Sequence, residues 1–528
     1  MTESAARART LMELLAAGAD DAPAIEAPGA QPLDYRGLRA LAESTIATLN
    51  RLGIGRGDRV AIVLPNGPMM ATAFVTVAAG AASCPLNPGY RAEEFEFYLS
   101  DLRARALVVE QGSDSPAVEV AGRLGLQVLE LAAPADGGER AGAFTIVRRH
   151  PGPTHAPPPP APAPRAATTA VLPGPAQADD VALILHTSGT TSRPKIVPLT
   201  HANVCASAAS IRATLALTAS DRELSIMPLF HIHGLIAGVL APLSAGSTIF
   251  CTPGFNALKF FGWMAECRPT WYTAVPTMHQ AILSRAGRSK DVIAANPLRF
   301  LRSSSSSIPP QVIAELERTF GAPLIEAYGM TEASHQMASN PLPPAQRKPG
   351  TVGRAAGPEI GIMDDAGRLL AASETGEIVI RGGSVTGGYE NNREANASAF
   401  TDGWFRTGDQ GVLDDDGYLS ITGRLKEIIN RGGEKISPRE VDEVLMDHPA
   451  VAQVVTFAVP HDKLGEDVAA CVVLRDGQQA DERSLRDFVA TRLADFKVPR
   501  RIVFRDEIPK GATGKLQRIG LAQKLGLG

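Results

Sequence analysis

Short apolar runs alternate with segments of helical spacing along most of this chain. Residues 57–64 end in five consecutive apolar residues, which predicts a buried strand, and a helix of small residues is predicted after it at 69–82. A second short run at 106–109 and a third from Leu224 onward repeat the alternation. Strands that alternate with helices indicate an α/β fold with layered and largely parallel sheets.

The last hundred or so residues have an alternation of their own. We predict strands at 451–457 and 467–474 and a helix at 482–493. An earlier helix is predicted to begin after Ser437 as N-cap, with Pro438 at its first position and Glu440 completing a capping box. The sequence therefore predicts a large N-terminal domain of layered sheets and helices, residues 1–423, and a small α+β C-terminal domain, residues 424–528.

Proline dominates residues 151–175, with four consecutive prolines at 157–160. Proline lacks the backbone N–H that a regular ladder needs, so we expect an extended insert within the large domain that serves as a spacer. No internal repeat of fixed period accompanies it.

Composition narrows the class of protein. The chain has 528 residues, of which 44% are hydrophobic, and 52 lysines and arginines face 56 aspartates and glutamates, for a net charge of −4. This balance argues against a nucleic-acid binder and favours an enzyme of small molecules. Five scattered cysteines without C-x-x-C spacing argue against a disulfide framework and a zinc site. Without a signal peptide pattern or a long apolar run, we expect a cytoplasmic protein with no membrane partner; the oligomeric state stays open.

Residues 186–195 carry the densest candidate chemistry. Several Ser and Thr hydroxyls, Gly189 and the cations Arg193 and Lys195 stand between two apolar runs, 181–185 and 196–197. A polar surface turn is the plain alternative, but a loop between two strands that is rich in donors suits the binding of a triphosphate. The pattern differs from the Walker motif, so the sequence predicts ATP binding of another kind.

Four further motifs follow in order, at 328–332, 403–409, 423–427 and 509–515. Together with the loop at 186–195, they resemble the acyl-adenylate-forming superfamily of acyl-CoA synthetases, luciferases and peptide-synthetase adenylation domains. The resemblance extends over the whole chain apart from the proline-rich insert. It implies an α/β enzyme with a mobile C-terminal lid, which activates a carboxylate with ATP and Mg²⁺ and passes the acyl group to CoA.

The resemblance also implies roles for individual residues. Lys515 is the lid lysine that contacts the carboxylate and the α-phosphate, Thr331 supplies an α-phosphate hydroxyl, and Glu332 is the carboxylate associated with Mg²⁺. Arg431 to Lys435 resembles the segment that lines the channel for the CoA thiol. The remaining expected positions are Thr187, Ser188, Gly189, Thr190, Thr191 and Lys195 for the phosphates, Tyr328 for adenine, Asp409 and Arg424 for the ribose, Lys426 for the hinge, and Gly432 and Gly433 for the CoA channel.

Hydroxyls and histidines crowd the segments expected around the acyl group. Residues 302–307 are an Arg followed by five Ser. His231 and His233 lie in a second such segment, residues 228–234, and His335 lies in a third, residues 333–341. The motifs at 332–337 and 430–438 look most like those of oxalyl-CoA synthetases, in which Ser305 and His335 match oxalate-binding positions. We expect His231 to line or gate the pocket. His233 is either a ligand or a core histidine with satisfied hydrogen bonds.

Three alternatives stay open. Arg302 is either a second cationic partner of the acid or part of a structural salt bridge. Within the ligase class, malonate or another short acid is an alternative to oxalate, because malonyl-CoA synthetases share the ending 339–341, although they use an arginine where this chain has the Ser and His pair. A non-catalytic protein that binds nucleotide or acyl groups is the alternative from another class. The intact Lys515, Glu332 and phosphate loop argue against it.

Overall fold

The structure is a computed structural model that describes residues 8–134, 140–149, 172–187, 194–509 and 516–527. Four sheets carry its architecture, three before residue 425 and one after it. Most of the proline-rich insert, from residue 151 to residue 171, lies outside the described residues.

The first sheet has seven strands, and its central strands are parallel, as predicted. Its predicted helix at 69–82 is shorter in the structure, Pro68–Ala78, because the chain turns at Gly80 and Ala82 pairs with Arg59 as a new strand. In spatial order the strands are Thr145–Arg148, Gln127–Ala132, Ala106–Glu110, Arg59–Val63, Ala82–Pro85, Val181–His186 and Ile196–Thr200.

The second sheet has nine strands and is also parallel through its centre. Its spatial order is Arg354–Ala355, His335–Ser339, Leu324–Met330, Phe300–Ser303, Trp271–Ala274, Arg222–Ser225, Thr248–Cys251, Pro23–Glu26 and Leu33–Asp34. Buried apolar side chains from both sheets and from the helices between them share one large core cluster. The carboxyl ends of the central strands of this sheet lead into the candidate site.

The third sheet is antiparallel, which the apolar runs did not indicate. Its strands are Glu359–Met363, Gly376–Arg381, Trp404–Leu413, Phe400–Thr401 and Leu419–Arg424. The 403–409 motif lies on the long strand, and the 423–427 motif begins at the end of its partner, so register pairs Asp409 with Arg424.

The C-terminal unit is an α+β module, as predicted. Its sheet consists of Glu434–Ile436, Ile429–Arg431, Gly465–Leu474, Val451–His461 and Arg501–Phe504, and the helices Pro438–Met446 and Glu482–Ala490 pack with it around a separate core cluster. The predicted capping box at Ser437 is wrong. Ser437 is the N-cap residue, but its hydroxyl donates to the Thr422 carbonyl and Glu440 accepts from Lys497 at 2.7 Å.

Local signals explain several other helices. Asp34 caps the helix Tyr35–Arg51 by accepting from Gly37 N at 2.7 Å, and Thr200 and Asn203 form a capping box for the helix after the phosphate loop. No helix in the described ranges is long and apolar enough to cross a membrane. The remaining helices are Leu11–Leu15, Ala92–Asp101, Pro116–Arg123, His201–Thr214, His233–Leu240, Ala241–Ser244, Phe260–Cys267, Pro276–Ala286, Lys290–Ala295, Pro310–Phe320, Thr331–Ala333, Arg393–Ala399, Asp495–Lys497 and Leu521–Lys524.

Candidate active site

Two adjoining cavities, of about 360 and 260 Å³, lie where the second and third sheets meet the C-terminal unit. They share Ser305, Gly329, Met330 and Arg424. The larger cavity brings together nine residues predicted from the sequence, namely Thr187, Lys195, His231, Ser305, Thr331, Glu332, His335, Arg424 and Lys426. The smaller cavity adds Tyr328 and Asp409.

The two ends of the predicted phosphate loop are held together at the larger cavity. Thr187 N donates to the Lys195 carbonyl at 2.9 Å, and Lys195 N donates to Thr187 Oγ1 at 3.1 Å. The loop lies between two strands, as predicted, and these strands, Val181–His186 and Ile196–Thr200, pair with each other in antiparallel fashion. Ser188, Gly189, Thr190 and Thr191 lie outside the described residues.

Glu332 lies at the wall of the same cavity and is 7% exposed. Burial raises the pKa of its carboxyl group, while a hydrogen bond of 2.8 Å from the Tyr389 hydroxyl opposes that rise. The Lys195 ammonium lies 4.4 Å from the centre of the Tyr389 ring. Tyr389 was missed because it belongs to none of the five motifs, and no local pattern in the sequence marks it.

The residues present fit a magnesium ion that is shared with phosphates. Mg²⁺ is commonly held by one or two carboxylates together with substrate phosphate oxygens and water, and Glu332 offers one carboxylate beside the phosphate loop. The described residues contain no cluster of three or more His, Cys, Asp or Glu side chains that could hold a metal by themselves. Glu332 is therefore suited to an ion that arrives with the nucleotide.

A chain of three side chains lines the smaller cavity. The Tyr328 hydroxyl donates to Asp409 Oδ2 at 2.5 Å, and Arg424 Nε donates to Asp409 Oδ1 at 2.9 Å. Tyr328 is 9% exposed, and its hydroxyl lies against Asp409. Burial raises the pKa of Tyr328, and the neighbouring carboxylate of Asp409 raises it further.

Glu326 is a second residue that the sequence interpretation missed. It lies two residues before Tyr328, lines the smaller cavity and accepts from Gly350 N at 3.3 Å. Burial raises its pKa to about 8, so this side chain holds a proton at neutral pH. Alternate residues of a strand share a face, and Glu326 lies two residues before Tyr328 on the strand Leu324–Met330, but no strand was predicted there.

Backbone conformation is unusual where the acid is expected. Ser305, Ser334 and His335 have positive φ angles of 74°, 51° and 95°. Non-glycine residues rarely adopt such angles, and they concentrate at functional sites. Gly329 makes this geometry possible, since a Cβ there would lie 1.7 Å from the His335 carbonyl oxygen.

The three histidines converge as expected, but in different roles. His231 and His335 line the larger cavity, whereas His233 is fully buried behind them, with its ring stacked 4.8 Å from that of His335. His233 Nδ1 lies 3.1 Å from Ser305 Oγ, and its Nε2 lies 2.7 Å from Thr273 Oγ1. His233 also begins a π-helix, His233–Leu240, a form often found at functional sites.

The C-terminal unit closes one side of both cavities. Lys426 and Ile519 line the larger cavity, and Leu516 and Arg518 line the smaller one. Lys515 lies outside the described residues, but the segment directly after it is at the cavity walls. Gly432 and Gly433 form the turn between the strands Ile429–Arg431 and Glu434–Ile436, with φ of 62° and 101°, and do not line either cavity.

Comparison with known proteins identifies the family of this chain. Residues 13–390 match the AMP-binding enzyme family, and residues 440–515 match the AMP-binding enzyme C-terminal domain. The chain is 42% identical to the oxalate–CoA ligase of Arabidopsis thaliana, with 97% of each chain covered, and 41% identical to that of Saccharomyces cerevisiae, with 89% and 87% covered. The crystal structure of ATP-bound MatB from Rhodopseudomonas palustris is similar at a TM-score of 0.83 and 27% identity, with 98% of each chain covered. The chain belongs to the AMP-binding enzyme family.

Proposed function

We propose that this chain is an ATP-dependent oxalate–CoA ligase, which converts oxalate, ATP and CoA into oxalyl-CoA, AMP and diphosphate. The observation that carries the proposal is that Ser305, His231 and His335 line the same cavity as the phosphate-loop residues Thr187 and Lys195. Hydroxyl and imidazole groups are able to donate hydrogen bonds to a second carboxylate, which an aliphatic acid lacks. The two named oxalate–CoA ligases among the relatives support the same substrate.

In the first step, an oxalate oxygen attacks the α-phosphorus of ATP, the bond to the β-phosphate oxygen breaks, and diphosphate leaves. Negative charge that develops on the phosphates needs fixed positive charge and hydrogen-bond donors. We assign Lys195, Thr187, Ser188, Gly189, Thr190 and Thr191 to the phosphates, Thr331 to the α-phosphate, and Lys515 to the contact that joins carboxylate and phosphate. Glu332 would hold the Mg²⁺ that neutralises the phosphate charge.

The nucleoside would occupy the smaller cavity. Asp409 accepts hydrogen bonds from Tyr328 and Arg424, which hold its carboxylate toward the cavity that we assign to ribose and adenine. Tyr328 forms part of the same wall, and we place the adenine ring against it. A protonated Glu326 is able to donate as well as accept, which suits recognition of a base edge.

In the second step, the CoA sulfur attacks the carbonyl of the oxalyl-adenylate, AMP leaves, and the thiol proton is lost. We propose that the division at residues 423 and 424 separates the large domain from a lid that pivots at Lys426. The turn at Gly432 and Gly433 would then reach the cavity and line the path of the thiol after the lid has moved. Glycines suit a place where a ligand passes close to backbone.

We also propose a cytoplasmic location. All five cysteines, Cys84, Cys205, Cys251, Cys267 and Cys471, are buried and form no disulfide, which fits a reducing compartment.

AMP release by the purified protein tests the function. ATP, Mg²⁺ and CoA are supplied with oxalate, malonate, succinate, acetate or octanoate at matched concentrations, and kcat/KM is compared. Preference for oxalate supports the proposal. Preference for malonate or another acid would keep the ligase and overturn the assignment of Ser305 and His335 to oxalate. No AMP release with any acid would favour a protein that only binds nucleotide or acyl groups.

A further inference from the structure

Arg302 is a fully buried arginine at the end of the strand Phe300–Ser303. Burial lowers the pKa of its guanidinium to about 9, so the group is charged at neutral pH. None of the ion pairs among the described residues involves it, although a buried charge without a counter-ion is costly. Neither of the two open alternatives for Arg302 matches this: it forms no structural salt bridge there, and it does not line the cavity directly.

The guanidinium of Arg302 contacts three polar side chains, and one of them, His233, lies next to the cavity residues Ser305 and His335. Its Nη1 lies 3.3 Å from His233 Nε2 and 3.3 Å from Thr273 Oγ1, and its Nη2 lies 3.2 Å from Gln336 Oε1. The Gln336 amide nitrogen donates to Thr214 Oγ1 at 3.1 Å and to the Ala356 carbonyl at 2.9 Å. Those two bonds fix the Gln336 oxygen toward the guanidinium.

These contacts determine the tautomer of His233. A guanidinium has donors and no acceptor, so His233 Nε2 accepts from Arg302. Thr273 Oγ1 accepts from Arg302 as well and lies 2.7 Å from Nε2, so the guanidinium and the threonine hydroxyl share the single lone pair of that nitrogen. The proton of the neutral imidazole must then be on Nδ1, which lies 3.1 Å from Ser305 Oγ.

The consequence reaches the cavity through Ser305. When His233 Nδ1–H donates to Ser305 Oγ, the serine hydroxyl is left to donate its own proton elsewhere. Ser305 lines the cavity, and its φ of 74° holds it in one backbone conformation. A hydroxyl that is fixed as a donor suits a carboxylate, which only accepts hydrogen bonds.

We propose that Arg302 is a positioning residue that selects acids with a second carboxylate, because it fixes the polarity of the chain from Arg302 through His233 to Ser305. The inference rests on the proposed function and deepens it. The distal carboxylate accepts from Ser305 at the end of this chain and does not contact Arg302, which does not line the cavity. A monocarboxylate has no group to accept from Ser305 in this way.

Arg302→Met removes the charge and keeps an unbranched side chain of similar reach. We expect the KM for oxalate to rise about 10-fold, because Ser305 is no longer fixed as a donor to the carboxylate, while the KM for ATP at saturating oxalate stays within about threefold. Arg302→Lys is expected to recover part of the oxalate affinity. Arg222→Met is the matched control, since Arg222 lies on the same sheet, pairs with Glu26 at 3.4 Å and lines neither cavity.

Two substitutions of His233 distinguish a tautomer role from simple packing. The amide nitrogen of His233→Asn lies near the place of Nδ1 and is able to donate to Ser305. The amide of His233→Gln lies near the place of Nε2 and keeps the contacts with Thr273 and Arg302. We expect the Asn variant to have the lower KM for oxalate. If the Gln variant has the lower KM, the proposed polarity is wrong.

The outcomes separate the two proposals. A wild-type protein that prefers oxalate, together with an unchanged oxalate KM in Arg302→Met, overturns the inference alone. A wild-type protein that does not use oxalate overturns both. If Arg302→Met fails to fold, as judged by its thermal unfolding against Arg222→Met, the Arg302→Lys variant and the pair of His233 variants decide.

Discussion

The Tyr389 hydroxyl donates a hydrogen bond of 2.8 Å to Glu332 Oε1. The same ring carries the Lys195 ammonium 4.4 Å from its centre. Tyr389 therefore joins the end of the phosphate loop to the carboxylate assigned to Mg²⁺. A change in the tyrosine hydroxyl is expected to act on Glu332, whereas loss of the whole ring acts on Lys195 as well.

The first prediction concerns the pH dependence of Tyr389→Phe. Burial raises the pKa of Glu332, and the hydrogen bond from Tyr389 lowers it because it stabilises the ionised form. Without that bond the pKa rises further. Mg²⁺ requires the ionised carboxylate, so activity is lost on acidification when Glu332 takes up a proton. We expect this loss to occur at a higher pH in Tyr389→Phe than in the wild type. The rate of ATP–diphosphate exchange across pH 5.5 to 8.5 measures this shift.

Tyr418→Phe is the control for this experiment. Tyr418 also donates from its hydroxyl to a neighbour, the Gln346 carbonyl, but lines neither cavity. On the acidic side, the pH profile of the exchange rate of Tyr418→Phe is expected to coincide with that of the wild type. A shift of equal size in both variants would attribute the effect to general destabilisation, and no shift in Tyr389→Phe would show that Glu332 does not control the acid limb.

The second prediction concerns the carboxylate assigned to the ribose. Asp409→Asn replaces one of two acceptor oxygens with a donor, so it disrupts at least one of the bonds from Tyr328 and Arg424 and weakens the acceptance of ribose hydroxyls. We expect the KM for ATP to rise roughly 10- to 100-fold, as for a lost hydrogen bond to a charged group. Tyr328→Phe leaves Arg424 in place and is expected to have a smaller effect. Equal KM values for ATP in Asp409→Asn and wild type would contradict the ribose assignment.

The third prediction separates acid binding from nucleotide binding. His335→Ala and Ser305→Ala remove candidate donors to the distal carboxylate of oxalate, and each such bond is worth about 1.5–3 kcal/mol. The kcat/KM for oxalate is therefore expected to fall roughly 10- to 150-fold in each variant. The dissociation constant for ATP, measured by calorimetry, is expected to change little. Full oxalate activity in His335→Ala would overturn the assignment of the acid pocket.

The fourth prediction concerns Lys515. If this lysine joins the carboxylate and the α-phosphate, Lys515→Ala removes positive charge from the transition state and lowers the rate of ATP–diphosphate exchange by about 100-fold or more. Lys524→Ala is the control, because Lys524 contacts Gln517 on the surface at 3.2 Å. The two variants are expected to bind ATP to a similar extent. A normal exchange rate in Lys515→Ala would assign adenylation to other groups.

Local sequence patterns predict much of this fold. The strands Arg59–Val63 and Ala106–Glu110 and the lid strand Gly465–Leu474 follow apolar runs that identify them. The antiparallel sheet of residues 359–424 was not predicted, because many of its residues are exposed or half-buried and its strands include glycines; its longest apolar run, residues 378–380, has only three residues. The predicted capping box at Ser437 is absent because the Ser437 hydroxyl donates to the carbonyl of Thr422, 15 residues earlier in the chain, and not to the first turn of the helix.

The site residues likewise fall into those that a local motif identifies and those that only long-range contacts identify. Residues inside compact motifs, such as Glu332 and Asp409, were found because neighbouring residues identify the motif. Tyr389 and the contact of Arg302 with His233 depend on packing between segments far apart in the chain, 57 and 69 residues in sequence. No local sequence pattern indicates such long-range contacts, so they can be identified only from the tertiary structure.

The last prediction concerns the segment that follows Lys515. Arg518 contacts Asp442 Oδ2 at 2.6 Å and Glu427 Oε2 at 3.2 Å, and its Nη1 also donates to the Thr456 carbonyl at 3.0 Å. It thereby ties this segment to the helix Pro438–Met446 and the strand Val451–His461. Its side chain is 21% exposed, so Arg518→Met leaves two partly buried carboxylates without their cation. In Arg518→Met we expect the free energy for opening the strand Val451–His461, measured by hydrogen exchange, to fall by about 2–3 kcal/mol.

Arg123 offers a matched comparison at the surface. It also contacts two carboxylates, Glu96 at 2.9 Å and Glu119 at 2.8 Å, but its side chain is 46% exposed. Water and salt screen exposed pairs, so Arg123→Met is expected to change exchange in its own helix little. Because residues 516–519 reach the walls of both cavities, Arg518→Met is also expected to slow adenylation. Equal exchange and equal adenylation in the two variants would show that Arg518 does not hold the Lys515 segment in place.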